Sequence, residues 1–227
     1  MNNKQRFPIV FLLDVDNTLL DNDRAKADIQ AELLKTLGER GAARFWDLYE
    51  QVRKELGVVD YPETLRRFAD SWQDKVVAEK AAELINNWPY ARYVYPGSLP
   101  ALKHLSDMGE VAILSDGDGD YQPRKIANSG LAAAVGGPAD VLIYTHKETC
   151  FEDVMRRLPA DHYVLIDDKE KILAGAKKFM GDCLTTVWVK QGHYANDPSQ
   201  YVKPDPDTTI QSIGDLTRLG KEDLTRT

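Results

Sequence analysis

Four short runs of apolar residues, IVFLL at 9–13, VAIL at 111–114, VLIY at 141–144 and YVLI at 163–166, are continuous rather than alternating. A strand with one wet face alternates apolar and polar residues. A strand buried on both faces is apolar throughout, as in a parallel sheet covered by helices on either side. Two more runs follow, LTTVWV at 184–189 and the alternating TTIQSI at 208–213. Segments of helical period lie between them. Residues 98–105 begin with Ser98 as a cap and Pro100 in the first turn, and stop at Gly109. Residues 148–158 and 169–180 have apolar positions near 3.6 spacing, the latter ending at Gly181. Strands alternating with helices predict a right-handed, doubly wound α/β fold with a Rossmann-like parallel sheet.

Residues 22–90 break that alternation. Ala25, Ile29, Leu33, Leu34 and Leu37 form one amphipathic stripe closed by Gly38. Phe45, Leu48, Tyr49, Val52 and Leu56 form a second, closed by Gly57. Leu65, Phe68, Ala69 and Trp72 begin a third after Pro62, and 76–88 holds a fourth. The expected division is an α/β core of residues 1–21 and 91–227, with an inserted helical cap at 22–90.

Composition excludes several classes. A formal charge of −7 leaves no clustered basic footprint for nucleic acid. No apolar stretch is long enough to span a bilayer, and the run at 7–13 is too short for a signal peptide. Cys150 and Cys183 match neither a metal spacing nor a disulfide framework, so they read as free, mostly buried thiols in a reducing cytoplasm. The four histidines are scattered. A metal here must be held by oxygen.

In an open parallel sheet, ligands bind at the carboxyl ends of the strands. After the first run comes Asp14-Val-Asp16-Asn-Thr18, and after the second Ser115-Asp116-Gly-Asp. Lys147 follows the third within a few residues, and Asp167-Asp168 follows the fourth. Carboxylates gathered without His or Cys select a hard cation, and Mg²⁺ binds through one or two carboxylates plus substrate phosphate. Such an ion lets an anionic nucleophile approach an anionic phosphoryl group. A carboxylate then forms an aspartyl-phosphate, and a second acid two residues along handles the protons. Ser115, Asp116 and Lys147 are the candidate phosphate-binding residues.

The sequence resembles the haloacid dehalogenase superfamily of phosphotransferases over essentially its whole length. Asp14-Val-Asp16-Asn17-Thr18 matches the first motif, D-x-D-x-T, directly after an apolar strand. Ser115, Lys147 and Asp167-Asp168 match the second, third and fourth motifs in order, and the helical insert stands where the family carries an α-helical cap. The resemblance implies a hydrolase with Asp14 as nucleophile and metal ligand. Asp16 would be the general acid/base, with its backbone carbonyl on the metal. Asp168 would be the direct Mg²⁺ ligand and Asp167 the more distant one, while Thr18 would support the loop by hydrogen bonding. Two departures stand out: no proline follows Lys147, and Lys169 occupies a place where a small residue is usual.

Single features have ordinary readings as turn residues, helix caps or surface lysines. The run Asp116-Gly-Asp118-Gly-Asp120 mimics a calcium loop, yet Tyr121 and Ala127 stand where that loop needs Gly and Glu. Lys203-Pro-Asp-Pro206 imitates a third motif but lies after the fourth, and Lys125 is the second candidate for the phosphate lysine. The expected function is hydrolysis of a small phosphorylated metabolite with Mg²⁺, by a cytoplasmic monomer or small homo-oligomer without nucleic-acid or membrane partners. The alternatives are a phosphomutase using the same intermediate, a hydrolytic dehalogenase and a non-catalytic binding module. Asp16 argues against dehalogenation, which needs neither the metal nor an acid at that position.

Overall fold

The computed structural model describes residues 6–225. Its strands are β1 (Phe7–Leu13), β2 (Glu110–Asp116), β3 (Val141–Tyr144), β4 (Ala160–Asp167), β5 (Leu184–Val189) and β6 (Thr208–Ile210). They form one parallel sheet in the order β3-β2-β1-β4-β5-β6. The central strand shows why its sequence is apolar throughout. Ile9, Phe11 and Leu13 enter the core on one face, while Val10 and Leu12 enter a separate core on the other. Each fully buried side chain contributes roughly 1.5–3 kcal/mol. The chain leaves β1 in one direction through β2 and β3, then returns to lay β4 on the opposite side of β1. The crevice between β1 and β4 is therefore the topological switch point, where such folds place their ligands.

The insert after β1 is helical: α1 (Asn22–Leu56), α2 (Tyr61–Ser71) and α3 (Lys75–Asn86). The two stripes form two helical segments within α1, separated as expected at Gly38, whose φ of 66° and ψ of 174° no helix accommodates. Asp60 and Asp74 cap α2 and α3 by accepting from the N–H groups of Glu63 (2.7 Å) and Val77 (3.1 Å). The two ends of the insert meet. Leu20 and Val94 form an antiparallel bridge, Asp21 N–H donates to the Tyr93 carbonyl (2.7 Å), and Tyr95 N–H donates to that of Leu19 (3.0 Å).

The core helices are α4 (Ser98–Ser106), α5 (Tyr121–Asn128), the single turn α6 (Leu131–Ala134), α7 (Phe151–Arg157) and α8 (Glu170–Met180). Several expectations need correction. Ser98 is not a cap: Gly97 holds that position, and the buried Ser98 hydroxyl donates to the Leu19 carbonyl (2.7 Å), fastening α4 to the loop after β1. The helix expected from 148 begins at Phe151, because Lys147–Thr149 forms a separate 3₁₀ turn. The strand expected to reach 213 stops at Ile210, and Ile213–Arg218 coils into a 3₁₀ helix under a Ser212/Asp215 capping box. Cys150 and Cys183 are free but only half-buried. Among the described residues no helix is long and apolar enough to cross a membrane.

Candidate active site

Register brings the motifs together. Leu13 pairs with Ile113 on one side and with Ile166 on the other. The next residue of β1's chain is thus Asp14, level with Asp167 and just below Ser115. Asp14 N–H donates to the Ile166 carbonyl (3.0 Å), which extends the ladder by one rung and fixes the carboxylate over the β1/β4 crevice. Lys147 comes from the loop after β3 and is fully buried; its Nζ lies 2.5 Å from Asp14 Oδ1 and 2.6 Å from Asp167 Oδ2. Asp167 Oδ1 also accepts from Lys169 N–H (2.9 Å). Asp168 is buried beside it, its carbonyl accepting from the Trp188 indole (3.0 Å).

Carboxylate oxygens of Asp14, Asp167 and Asp168 all lie within 4.8 Å of one another. Asp14 Oδ2 and both Asp168 oxygens are buried with no hydrogen-bond partner. Such orphaned acceptors are costly unless a cation completes them. Burial, reinforced by the neighbouring Asp167 and Asp14, pushes the Asp168 carboxyl up to about 9. Burial also raises Asp167. For Lys147 burial alone would favour the neutral amine, but the Asp14, Asp167 and Asp116 charges outweigh it and hold the ammonium firmly protonated. The trio is a hard, all-oxygen donor set that fits a divalent cation.

Asp16 stands apart from that trio. Its side chain is part-exposed, ion-paired to the buried Lys125 ammonium and accepting from Gln122 Nε2 (3.2 Å). Lys125 also donates to Asn22 Oδ1 (2.8 Å), so the rival phosphate lysine is committed to Asp16. Gln122 donates to the Ser115 hydroxyl as well (3.0 Å) and thereby ties two motif residues to α5. Asn17 adopts the left-handed conformation that Asn tolerates (φ 64°) and bonds Asp23 from both ends of its amide. Thr18 hydrogen-bonds within the turn through its backbone, donating to the Val15 carbonyl (3.2 Å), while its buried hydroxyl has no partner. Asp116 turns its carboxylate to the Lys147 backbone N–H (2.8 Å), and Lys169 Nζ stands 3.9 Å away. That side chain positions the lysine loop, and its negative charge is unsuited to receiving phosphate.

Above the carboxylates a cleft of about 420 Å³ separates the sheet edge from the cap. Gly57 ends α1 with φ 77°, and a Cβ there would lie 2.9 Å from the His146 ring. The tip of the cap therefore rests on the Lys147 loop. Sequence reasoning missed Gln122; its signal was the Gln122/Lys125 spacing, which places both on one face of α5. The calcium-loop imitation is an Asx turn, with Asp118 Oδ1 accepting from the N–H groups of Asp120 (2.9 Å) and Tyr121 (2.6 Å). Lys203 pairs with Asp205 in an exposed loop.

A family model described as haloacid dehalogenase-like hydrolase matches residues 10–179. The chain belongs to that family. A haloacid dehalogenase-like hydrolase from Burkholderia xenovorans LB400 is 46% identical, with a TM-score of 0.85 over 94% of this chain and 99% of its own. The fold recurs at lower identity in a 2-haloacid dehalogenase from Pseudomonas syringae pv. Tomato DC3000 (18%, TM-score 0.64, 92% of this chain and 96% of that one). It recurs too in a HAD phosphatase from Thermococcus onnurineus (20%, TM-score 0.59, 92% and 96%). No curated protein matches the sequence.

Proposed function

We propose that this hydrolase is a Mg²⁺-dependent phosphomonoesterase that cleaves a small soluble phosphorylated metabolite through an aspartyl-phosphate on Asp14. The observation that carries the reading is the division between carboxylates. Asp14 lies in the buried trio with one free oxygen, whereas the Asp16 side chain stands clear of it, facing the cleft. A nucleophile and a separate acid/base are what phosphoryl transfer to water requires.

Asp14, Asp167, Asp168 and the Asp16 carbonyl would hold Mg²⁺, which supplies neutralising charge between an anionic nucleophile and an anionic phosphoryl group. Asp14 Oδ2 attacks phosphorus, and the bond from phosphorus to the leaving oxygen breaks. As general acid, Asp16 would pass a proton to that oxygen, so the product leaves as a neutral alcohol. Asp16, now a carboxylate, takes a proton from water, whose oxygen attacks phosphorus. The Asp14–phosphorus bond breaks and inorganic phosphate is released. Lys147 and Ser115 hold the phosphoryl oxygens as charge spreads onto them. Thr18 keeps the first loop in shape, Asp116 positions the lysine loop, and the helices at 22–90 act as a cap that excludes water and contacts the leaving group. The two free thiols suit a reducing cytoplasm.

Hydrolytic dehalogenation is the competing reaction within the same family, and it uses neither Asp16 nor a metal. The orphaned oxygens of Asp168 and the side chain of Asp16 favour phosphoryl transfer. Phosphate release from 4-nitrophenyl phosphate with Mg²⁺, beside halide release from 2-chloropropionate, separates the two. We expect phosphate only, lost with EDTA and reduced roughly 10⁴- to 10⁶-fold in Asp14→Asn. Halide release, or phosphate release that survives both changes, would sink the proposal. Isomer formation from a sugar phosphate would redirect it to a mutase.

A further inference from the structure

The walls of the cleft carry many charged and polar side chains, and most of them have a partner. Asp16 takes Lys125, Asp116 faces Lys169 at 3.9 Å, and Asp23 takes the His193 ring at 2.7 Å. Glu148 stands 3.8 Å from His146, and Arg53 leans on Glu50 at 3.4 Å. Lys26, in the second turn of α1, lines the same cleft. Among the described residues it has no carboxylate within ion-pair distance; Glu50 and Asp23 act on it only from farther off. Its Nζ lies over the ring of Tyr49 (4.6 Å to the centroid) and near that of Trp46 (5.7 Å).

An ordinary surface lysine keeps its ammonium in water, where an ion pair is worth little. Lys26 is half-buried, and that burial has stripped enough water to lower its pKa. The aromatic faces return part of the lost solvation but supply no anion. Around it the cleft continues as a wall of tyrosines, with Tyr49, Tyr61 and Tyr121 packed at tilted angles, 5.4 and 4.9 Å between centroids, and Tyr90 bonded to Tyr121 through their hydroxyls (2.8 Å). This wall runs from cap to core and gives a low-dielectric aromatic flank to whatever lies between Lys26 and the carboxylates. In such surroundings a charge-assisted bond counts for more than it does on the surface.

We propose that Lys26 receives a second anionic group, a carboxylate or a second phosphate, carried on the leaving alcohol of the substrate. The inference rests on the phosphomonoesterase reading, because it assigns the phosphoryl group to the floor of the cleft and only the remainder to Lys26. A volume of about 420 Å³ suits a phosphoryl group with a short, singly decorated leaving group.

Matched esters test it. The probes are 4-(carboxymethyl)phenyl phosphate, its neutral isostere 4-(carbamoylmethyl)phenyl phosphate and 1,4-phenylene bisphosphate, assayed for phosphate release with Mg²⁺. We expect kcat/KM for at least one anionic ester to exceed that of the carboxamide by about tenfold or more. Which anionic ester is preferred identifies carboxylate or phosphate. The preference should fall to near parity in Lys26→Met, return in Lys26→Arg, and persist in Lys35→Met, a control on the exposed face of the same helix. Parity in the wild-type enzyme, or a preference that Lys26→Met retains, overturns the inference while leaving the phosphatase intact. Failure of all three esters to turn over overturns the phosphatase reading and the inference with it.

Discussion

At the sheet edge three aspartates with exposures of 0–2% crowd around one fully buried lysine. On the cap, Glu63 holds Arg66 and Arg67 at 2.6–2.7 Å, and Arg67 reaches on to Glu55 at 2.7 Å, with Arg66 and Glu55 exposed and Glu63 and Arg67 partly so. The two groups share chemistry and bond lengths, yet they differ in what surrounds them. Both arginines in the cap network have carboxylate acceptors. The sheet-edge group has three carboxylates to one ammonium, with acceptors left over. A largely exposed network is close to neutral for stability, whereas a buried, unbalanced one is a standing cost.

The sharpest way to break this contrast is to remove the buried cation. Lys147→Met leaves Asp14 and Asp167 facing each other uncompensated, and should cost about 3–5 kcal/mol of unfolding free energy by urea titration. A loss below about 1 kcal/mol would mean that water or protonation already relieves the cluster. The next test is pH. Asp168 keeps a proton to about 9 in the metal-free native state, whereas its ordinary value is 3.8. Between those values the native state binds more protons than the unfolded one, so metal-free stability falls as pH rises. The slope from this group is at most about 1.4 kcal/mol per pH unit. Urea midpoints in EDTA from pH 5 to 8 should show that fall, and Asp168→Asn should flatten it; an unchanged slope would place the proton elsewhere among Asp14, Asp167, Lys147 and Lys169. The smallest effect belongs to the cap, where Glu55→Ala should leave the calorimetric Tm within about 1 °C. A drop of several degrees would show that this network is structural after all.

The central strands β1, β2 and β4 were legible because their middles are buried on both faces and run apolar without interruption. The convergence of Asp14, Ser115, Lys147 and Asp167 was legible for a related reason: each stands at or within a few residues of the carboxyl end of a strand, and parallel strands end at one edge. What eluded the sequence acts across the sheet or between layers. Gln122 looks like any helical glutamine until the fold brings it to both Ser115 and Asp16. Ser98 has the sequence of a cap, yet its hydroxyl is drawn to the Leu19 carbonyl from 79 residues earlier in the chain. The strand at 208–213 was shortened by the Ser212/Asp215 capping box, a local competition that alternation does not reveal. Lys26 carried no signal, since its meaning lies in the partner it lacks.

The bridge between Leu20 and Val94 has a consequence for how such a protein changes over time. The insert begins and ends at neighbouring points, held by the two backbone hydrogen bonds of that bridge. Nothing in the strand register passes through it. A helix within it can lengthen, shift or be exchanged for another without the sheet losing a rung, much as a tool head is changed while the handle stays the same. Selection for a new substrate can therefore work on α1 to α3 while the residues after β1, β2, β3 and β4 stay where they are.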